Sequence, residues 1–120
     1  MVLVIEDDAD LRHFLELMLE GAGYSVRTAS DGGEALKILD QQAPSLILLD
    51  LMMPTMDGRR FREEQLRRDR ASRVPLVVVS ARHDCAQIAE TLGAAECVPK
   101  PFEVDKLLDI VQRICPTGVN

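Results

Sequence analysis

Apolar positions along the chain follow two alternating patterns. Short β-branched or leucine-rich runs recur at Val2 to Ile5, Ser25 to Ala29, Leu46 to Leu49, Val74 to Val79 and Cys97 to Val98. Several are apolar on successive residues, as expected of strands covered on both faces by helices. The last is short and is placed by its position in the alternation. Between these runs, apolar residues return at helical spacing. Leu11, Phe14, Leu15, Met18 and Leu19 form one stripe, with Asp8 as the N-cap and Gly21 or Gly23 as the stop. Ala35, Leu36 and Leu39 mark a second helix, opened by Ser30-Asp31-Gly32-Gly33 and ended before Pro44. Phe61 and Leu66 lie in a third, strongly charged one, and Ile88, Ala89 and Leu92 mark a fourth that Gly93 ends. Val104, Leu107, Leu108, Val111 and Ile114 mark the fifth, which stops at Pro116. This alternation of strand and helix predicts an α/β fold: a doubly wound, five-stranded parallel sheet with right-handed crossovers and helices on both faces. A closed (β/α)₈ barrel would need roughly twice the residues. No linker, repeat or low-complexity run divides the chain, so residues 1–115 are read as one domain and 116–120 as a short tail, with no effector domain visible.

Composition narrows the function. With 120 residues, 47% hydrophobic and 28% charged, the chain can form one packed core without disulfides or structural metal. A net charge of −6 disfavours nucleic acid and anionic membranes as partners. Phe14, Phe61, Phe102 and Tyr24 are the only aromatic residues, too few for a base-stacking platform. Cys85, Cys97 and Cys115 have an odd count and no C-x-x-C spacing. They predict neither a disulfide framework nor a zinc site, and favour a reducing, cytoplasmic setting. The start, Met1-Val2-Leu3-Val4-Ile5-Glu6, lacks the basic region and apolar length of a signal peptide. The apolar stretches Leu46 to Leu49 and Leu76 to Val79 fall far below the ~20 residues of a membrane span.

The informative polar groups share one address. Glu6, Asp7 and Asp8 follow the first strand, Asp50 the third, Ser80 the fourth and Lys100 the fifth. In a parallel sheet all C-terminal strand ends lie on one edge, where open α/β sheets bind ligands. Clustered carboxylates repel unless a cation lies between them, and an all-oxygen set suits Mg²⁺, with Mn²⁺ as the alternative ion. Lys100 adds a compact positive charge suited to phosphoryl oxygens, and Ser80 adds a hydroxyl donor. A carboxylate can itself be the nucleophile, giving an aspartyl phosphate, and this assigns Asp50 as phosphoryl acceptor. Each residue alone has a plainer reading: an Asp or Ser after a strand is commonly a turn or a cap, and Asp8 is read as that only. The combination at four strand ends is what points to phosphoryl transfer.

Four motifs carry a family resemblance: Leu3-Val4-Ile5-Glu6-Asp7-Asp8; Leu48 to Pro54 with Met56-Asp57-Gly58; Val79-Ser80-Ala81; and Lys100-Pro101-Phe102. In order and spacing, over essentially the whole chain, they resemble the receiver domain of two-component response regulators. The resemblance implies a flavodoxin-like sheet of order 2-1-3-4-5 and a cis Lys100-Pro101 peptide. It implies Asp50 as the phosphorylated aspartate, Asp7 as acidic Mg²⁺ ligand with Glu6 as its partner, and the Met52 backbone carbonyl as a further ligand. Ser80 would be the switch hydroxyl and Lys100 the phosphate-pairing lysine. The implied donor is the phosphohistidine of a histidine kinase or phosphotransfer protein, and the implied role is a cytoplasmic signalling phosphoprotein rather than an enzyme. The downstream partner is left open.

Departures from the family pattern are specific. Cys97 stands where receivers commonly carry Tyr, Phe or His, and is read as a small core residue rather than a thiol sensor. Ser80 and Lys100 are about two positions closer than the family pattern, which predicts a shortened fourth helix or preceding loop. Met52 and Arg82 flank the site, and their bulk and charge predict slow loss of the phosphoryl group to water. Arg59, Arg60, Arg62, Arg67, Arg68, Arg70 and Arg73 crowd the third helix and the loop after it. They are read as a solvated face paired with Glu63, Glu64 and Asp69, with a docking patch for an acidic partner as the alternative. His13 is expected to face solvent and His83 to lie in a loop. Two other functions compete. A haloacid-dehalogenase-like phosphatase also uses a strand-end Asp, but would want a carboxylate where Met52 stands. A receiver-shaped interaction module that no longer switches would explain Cys97.

Overall fold

The computed structural model describes residues 1–51 and 58–116. Its elements are β1 (Val2–Ile5), α1 (Ala9–Gly21), β2 (Val26–Ala29), α2 (Gly32–Gln41), β3 (Leu46–Asp50), α3 (Gly58–Leu66), β4 (Leu76–Ser80), α4 (Cys85–Leu92), β5 (Glu96–Pro99) and α5 (Val104–Ile114). The strands form one parallel sheet in the order β2-β1-β3-β4-β5. The doubly wound expectation and the 2-1-3-4-5 order therefore both hold.

Side-chain alternation along the strands builds two cores. Leu3, Ile5, Ile47, Leu49, Leu76 and Val78 point to the side covered by α2, α3 and α4, meeting Ile38, Leu39, Phe61 and the edge of Leu92. Val2, Val4, Leu46, Leu48, Val77 and Val79 point to the other side, against Leu15 and Leu19 of α1 and Leu107 and Val111 of α5. Burial on both faces is why β1, β3 and β4 carry apolar residues in succession. Asp8 caps α1 by accepting the N–H groups of Asp10 and Leu11, and Asp31 caps α2 by accepting that of Glu34. Gly93 ends α4 in the left-handed conformation at φ 66°, where a side chain would be strained. At eight residues, α4 is the shortest of the helices described. The Lys100-Pro101 peptide is cis.

Three expectations need correction. Cys85 and Cys97 form a disulfide, leaving Cys115 free and buried. The pair is 12 residues apart in sequence, but the β4–α4–β5 crossover sets the start of α4 beside β5 and brings the two Cα atoms to 5.7 Å. A cysteine count contains no such information, and the inference of a reducing setting from it falls away. Phe14, placed in the apolar stripe of α1, is 46% exposed, because the stripe drifts round the helix and Leu15 and Leu19 alone reach the core fully. In α3 the buried partner of Phe61 is Gln65, not Leu66. The Gln65 amide donates to the carbonyls of Ala71 and Val74 and accepts from Arg62, so a polar residue satisfies the turns that follow α3.

Candidate functional site

Glu6, Asp50, Ser80 and Lys100 meet at the C-terminal edge of the sheet, as strand-end placement requires. Asp50 and Ser80 close β3 and β4, Glu6 and Asp7 directly follow β1, and Lys100 directly follows β5. Among the described residues, Glu6, Asp7 and Asp50 each offer a carboxylate oxygen, all within 4.8 Å of one another. Glu6 and Asp50 are buried, whereas Asp7 is exposed at the rim. The Lys100 ammonium reaches in from the far strand, 2.9 Å from Asp50 Oδ2 and 3.5 Å from Glu6 Oε1.

Electrostatics divide these groups. Burial, reinforced by a hydrogen bond with Asp50 and by its charge, pushes the Glu6 carboxyl up to about 8; the Asp8 N–H and Lys100 offset only part of this. For Lys100, burial opposes the charge, yet hydrogen bonding and attraction from Asp50 and Glu6 outweigh it and raise its pKa. Lys100 balances only one of the two buried carboxyls, and Glu6 keeps its proton. A hard divalent cation on the Asp7 side would supply a second positive charge and displace that proton, and the all-oxygen donor set fits Mg²⁺.

Local structure holds these groups in place. The Asp8 N–H donates to Glu6 Oε2. Arg12, one turn into α1, donates to the backbone carbonyls of Glu6 and Asp7 at 2.9 and 3.4 Å. Sequence reasoning missed Arg12, and its position a few residues after an acidic pair is the signal that could have found it. The Ser80 side chain is buried, and its hydroxyl accepts the Arg82 N–H at 3.1 Å, while its carbonyl accepts the Lys100 N–H at 2.9 Å. Arg82 itself pairs with Asp84. Met52 lies outside the described residues. Cys97 is half-buried against the α4-side core and bonded to Cys85. His13 is exposed beside Glu16, and His83 is an exposed loop residue.

The arginine-rich segment is largely the solvated face expected, with Arg59, Arg60, Arg67, Arg70 and Arg73 exposed, but Arg62 and Arg68 are half-buried and several guanidinium groups bond to the chain itself. Arg62 donates to the carbonyls of Leu92 and Gly93, joining α3 to the end of α4. Arg68 pairs with Asp40 and Glu64, Arg70 donates to the carbonyls of Asp40 and Gln41, and Arg67 pairs with Glu64. An apolar depression of about 500 Å³ adjoins the site, lined by Leu11, Phe14, Lys100, Pro101, Phe102 and Val104 among others. No described helix is long and apolar enough to cross a membrane.

The family model described as response regulator receiver domain matches residues 2–112. The chain is 42% identical over 108 residues to a probable transcriptional regulator ycf27 of Guillardia theta, covering 88% of this chain and 41% of that protein. It therefore spans less than half the length of that curated relative. The chemotaxis protein CheY4 of Vibrio cholerae superposes with a TM-score of 0.86 at 30% identity, covering 94% of this chain and 96% of the other. The response regulator TrrA of Thermotoga maritima, solved in complex with Mg²⁺-BeF, gives 0.82 at 27% identity over 94% and 96% of the two chains.

Proposed function

This chain belongs to the response regulator receiver domain family, and from that membership we propose that it is the phosphoacceptor of a two-component phosphorelay. The receiver comprises residues 1–115. The carboxylate of Asp50 attacks the phosphorus of a phosphohistidine on a histidine kinase or phosphotransfer protein. The P–N bond breaks, the imidazole leaves and takes up a proton, and an aspartyl phosphate remains. The observation that carries this reading is the buried Asp50 with Lys100 at 2.9 Å inside a three-carboxylate cluster.

Glu6, Asp7 and Asp50, with the Met52 carbonyl, would hold Mg²⁺ (or Mn²⁺), which when bound supplies charge neutralisation for the phosphoryl oxygens. Lys100 already lies on the acceptor carboxylate and can follow the new charge as it forms. The Ser80 hydroxyl can donate to a phosphoryl oxygen by turning its proton away from the sheet while still accepting from Arg82. Drawing Ser80 toward Asp50 pulls on the segment 81–84 that precedes α4, so a local charge change reaches a partner surface. The domain is a signalling module that assists its own phosphorylation and dephosphorylation. A phosphohistidine donor made from ATP places it in the cytoplasm.

The apolar depression beside Lys100 gives the donor a surface to cover, because a docked partner there overlooks Asp50 across the same edge. A second reading, a receiver-shaped module that binds partners without switching, draws support from the disulfide at Cys97. Beryllofluoride with Mg²⁺ separates the two: an Asp50-dependent change in amide shifts and thermal stability is expected of a switch. A response that persists in Asp50→Asn, or no response in any redox state, rejects the switching reading.

A further inference from the structure

Cys85 is the first residue of α4 and Cys97 the second of β5, so their disulfide ties the end of the β4–α4 loop to the neighbouring strand. Between Ser80 and Cys85 lie only residues 81–84. The near end of this segment is also held, through Lys100 N–H to the Ser80 carbonyl and Arg82 N–H to the Ser80 hydroxyl. A short segment anchored at both ends has little freedom to follow Ser80 toward a phosphoryl group. Without the disulfide, the far end would be weak. Asp84 occupies the N-cap of α4 but makes no capping hydrogen bond, its carboxylate being engaged by Arg82. The C-terminal end of the helix is secured independently by Gly93 and the Arg62 guanidinium. Cysteine chemistry thus sits at the one end of α4 that would otherwise open first.

We infer that the Cys85–Cys97 disulfide is a redox latch on the phosphoryl switch: oxidised, it restrains the β4–α4 segment; reduced, it releases it. The inference rests on the receiver reading of Asp50. The reductant is a dithiol. One of its thiolates attacks Sγ of Cys97, the more exposed of the two, the S–S bond breaks, and Cys85 departs as a thiolate at the first position of α4, whose N-terminus has no side-chain cap and favours negative charge. The second thiolate of the reductant attacks the mixed disulfide and frees Cys97. The reductant leaves as a disulfide with two electrons fewer, and its two protons pass to Cys85 and Cys97. Because the two states are linked, filling the site at Asp50 must disfavour reoxidation by the same factor that reduction favours filling it.

The test uses the full chain, oxidised or reduced with dithiothreitol. Thiol alkylation after denaturation, read by mass spectrometry, should find Cys115 alone modified in the oxidised sample and all three cysteines in the reduced one. Titration with beryllofluoride and Mg²⁺ should show about tenfold tighter apparent affinity in the reduced state. Amide shifts of residues 81–85 should move further there. Cys85→Ser and Cys97→Ser, examined separately so that one misfolding variant does not decide the outcome, should each bind as the reduced form does under both conditions. Equal or tighter affinity in the oxidised chain overturns the latch and leaves the receiver reading standing, as does full alkylation of the oxidised sample. Failure of the mimic to bind in both redox states overturns the receiver reading, and the latch with it.

Discussion

Glu6 lies 2% exposed beside Asp50 and the ammonium of Lys100, and its proton has consequences for stability. In the folded chain it holds that proton to about pH 8, against an ordinary value of 4.5. The folded state therefore binds more protons than the unfolded state across this window, and stability from this group falls as pH rises through it. In divalent-free buffer, the wild type should lose more denaturant resistance between pH 5 and pH 8 than Glu6→Gln, with the difference read from urea midpoints. Mg²⁺ should act in the opposite sense. At about 100 times its dissociation constant it should stabilise the fold by ~2.7 kcal/mol, and Asp7→Asn should abolish most of that gain in thermal melts. The placement of these groups is legible in the sequence: Glu6, Asp7, Asp50, Ser80 and Lys100 stand as acid, hydroxyl and amine at the strand ends that the structure brings to one edge. Arg12 is not, since it acts on backbone carbonyls that every residue possesses. The disulfide is not either, because tertiary proximity sets it.

At the scale of elements, α3 and its following turn depend on Gln65. Its amide serves two carbonyls and accepts from Arg62, with no exposure to water. Replacing it by leucine keeps the volume but leaves those groups unpaired, and should cost about 3 kcal/mol in equilibrium unfolding. Periodicity pointed to Leu66 there, because a hydropathy pattern assigns amides to the surface. On α1, Phe14 and Leu17 stay exposed where the stripe predicted cover for Phe14. Phe14→Ala should slow phosphoryl transfer from a phosphohistidine protein about tenfold, the scale of one lost interface anchor. Phosphorylation by a small donor such as phosphoramidate should be unchanged, and radiolabel uptake from each donor checks both. Equal slowing with both donors would move Phe14 from docking to the site itself.

For the whole molecule, strand and helix alternation was enough to predict a doubly wound sheet, since only helices on both faces can bury strands apolar on successive residues. Where the sequence departs from its family, at Cys97 and in the short α4, the structure joins the two departures in one crossover. The net charge of −6 was less informative than its internal use. Arg62, Arg68 and Arg70 spend their guanidinium groups on carbonyls and carboxylates of the chain itself. A mutational map of binding would therefore mislead at these positions. Substituting them would release helix ends and interhelical joints, and the resulting drop in soluble yield would pass for lost affinity. Arg67, exposed in the turn just after α3, is the position at which a charge change should report on a visitor rather than on the host.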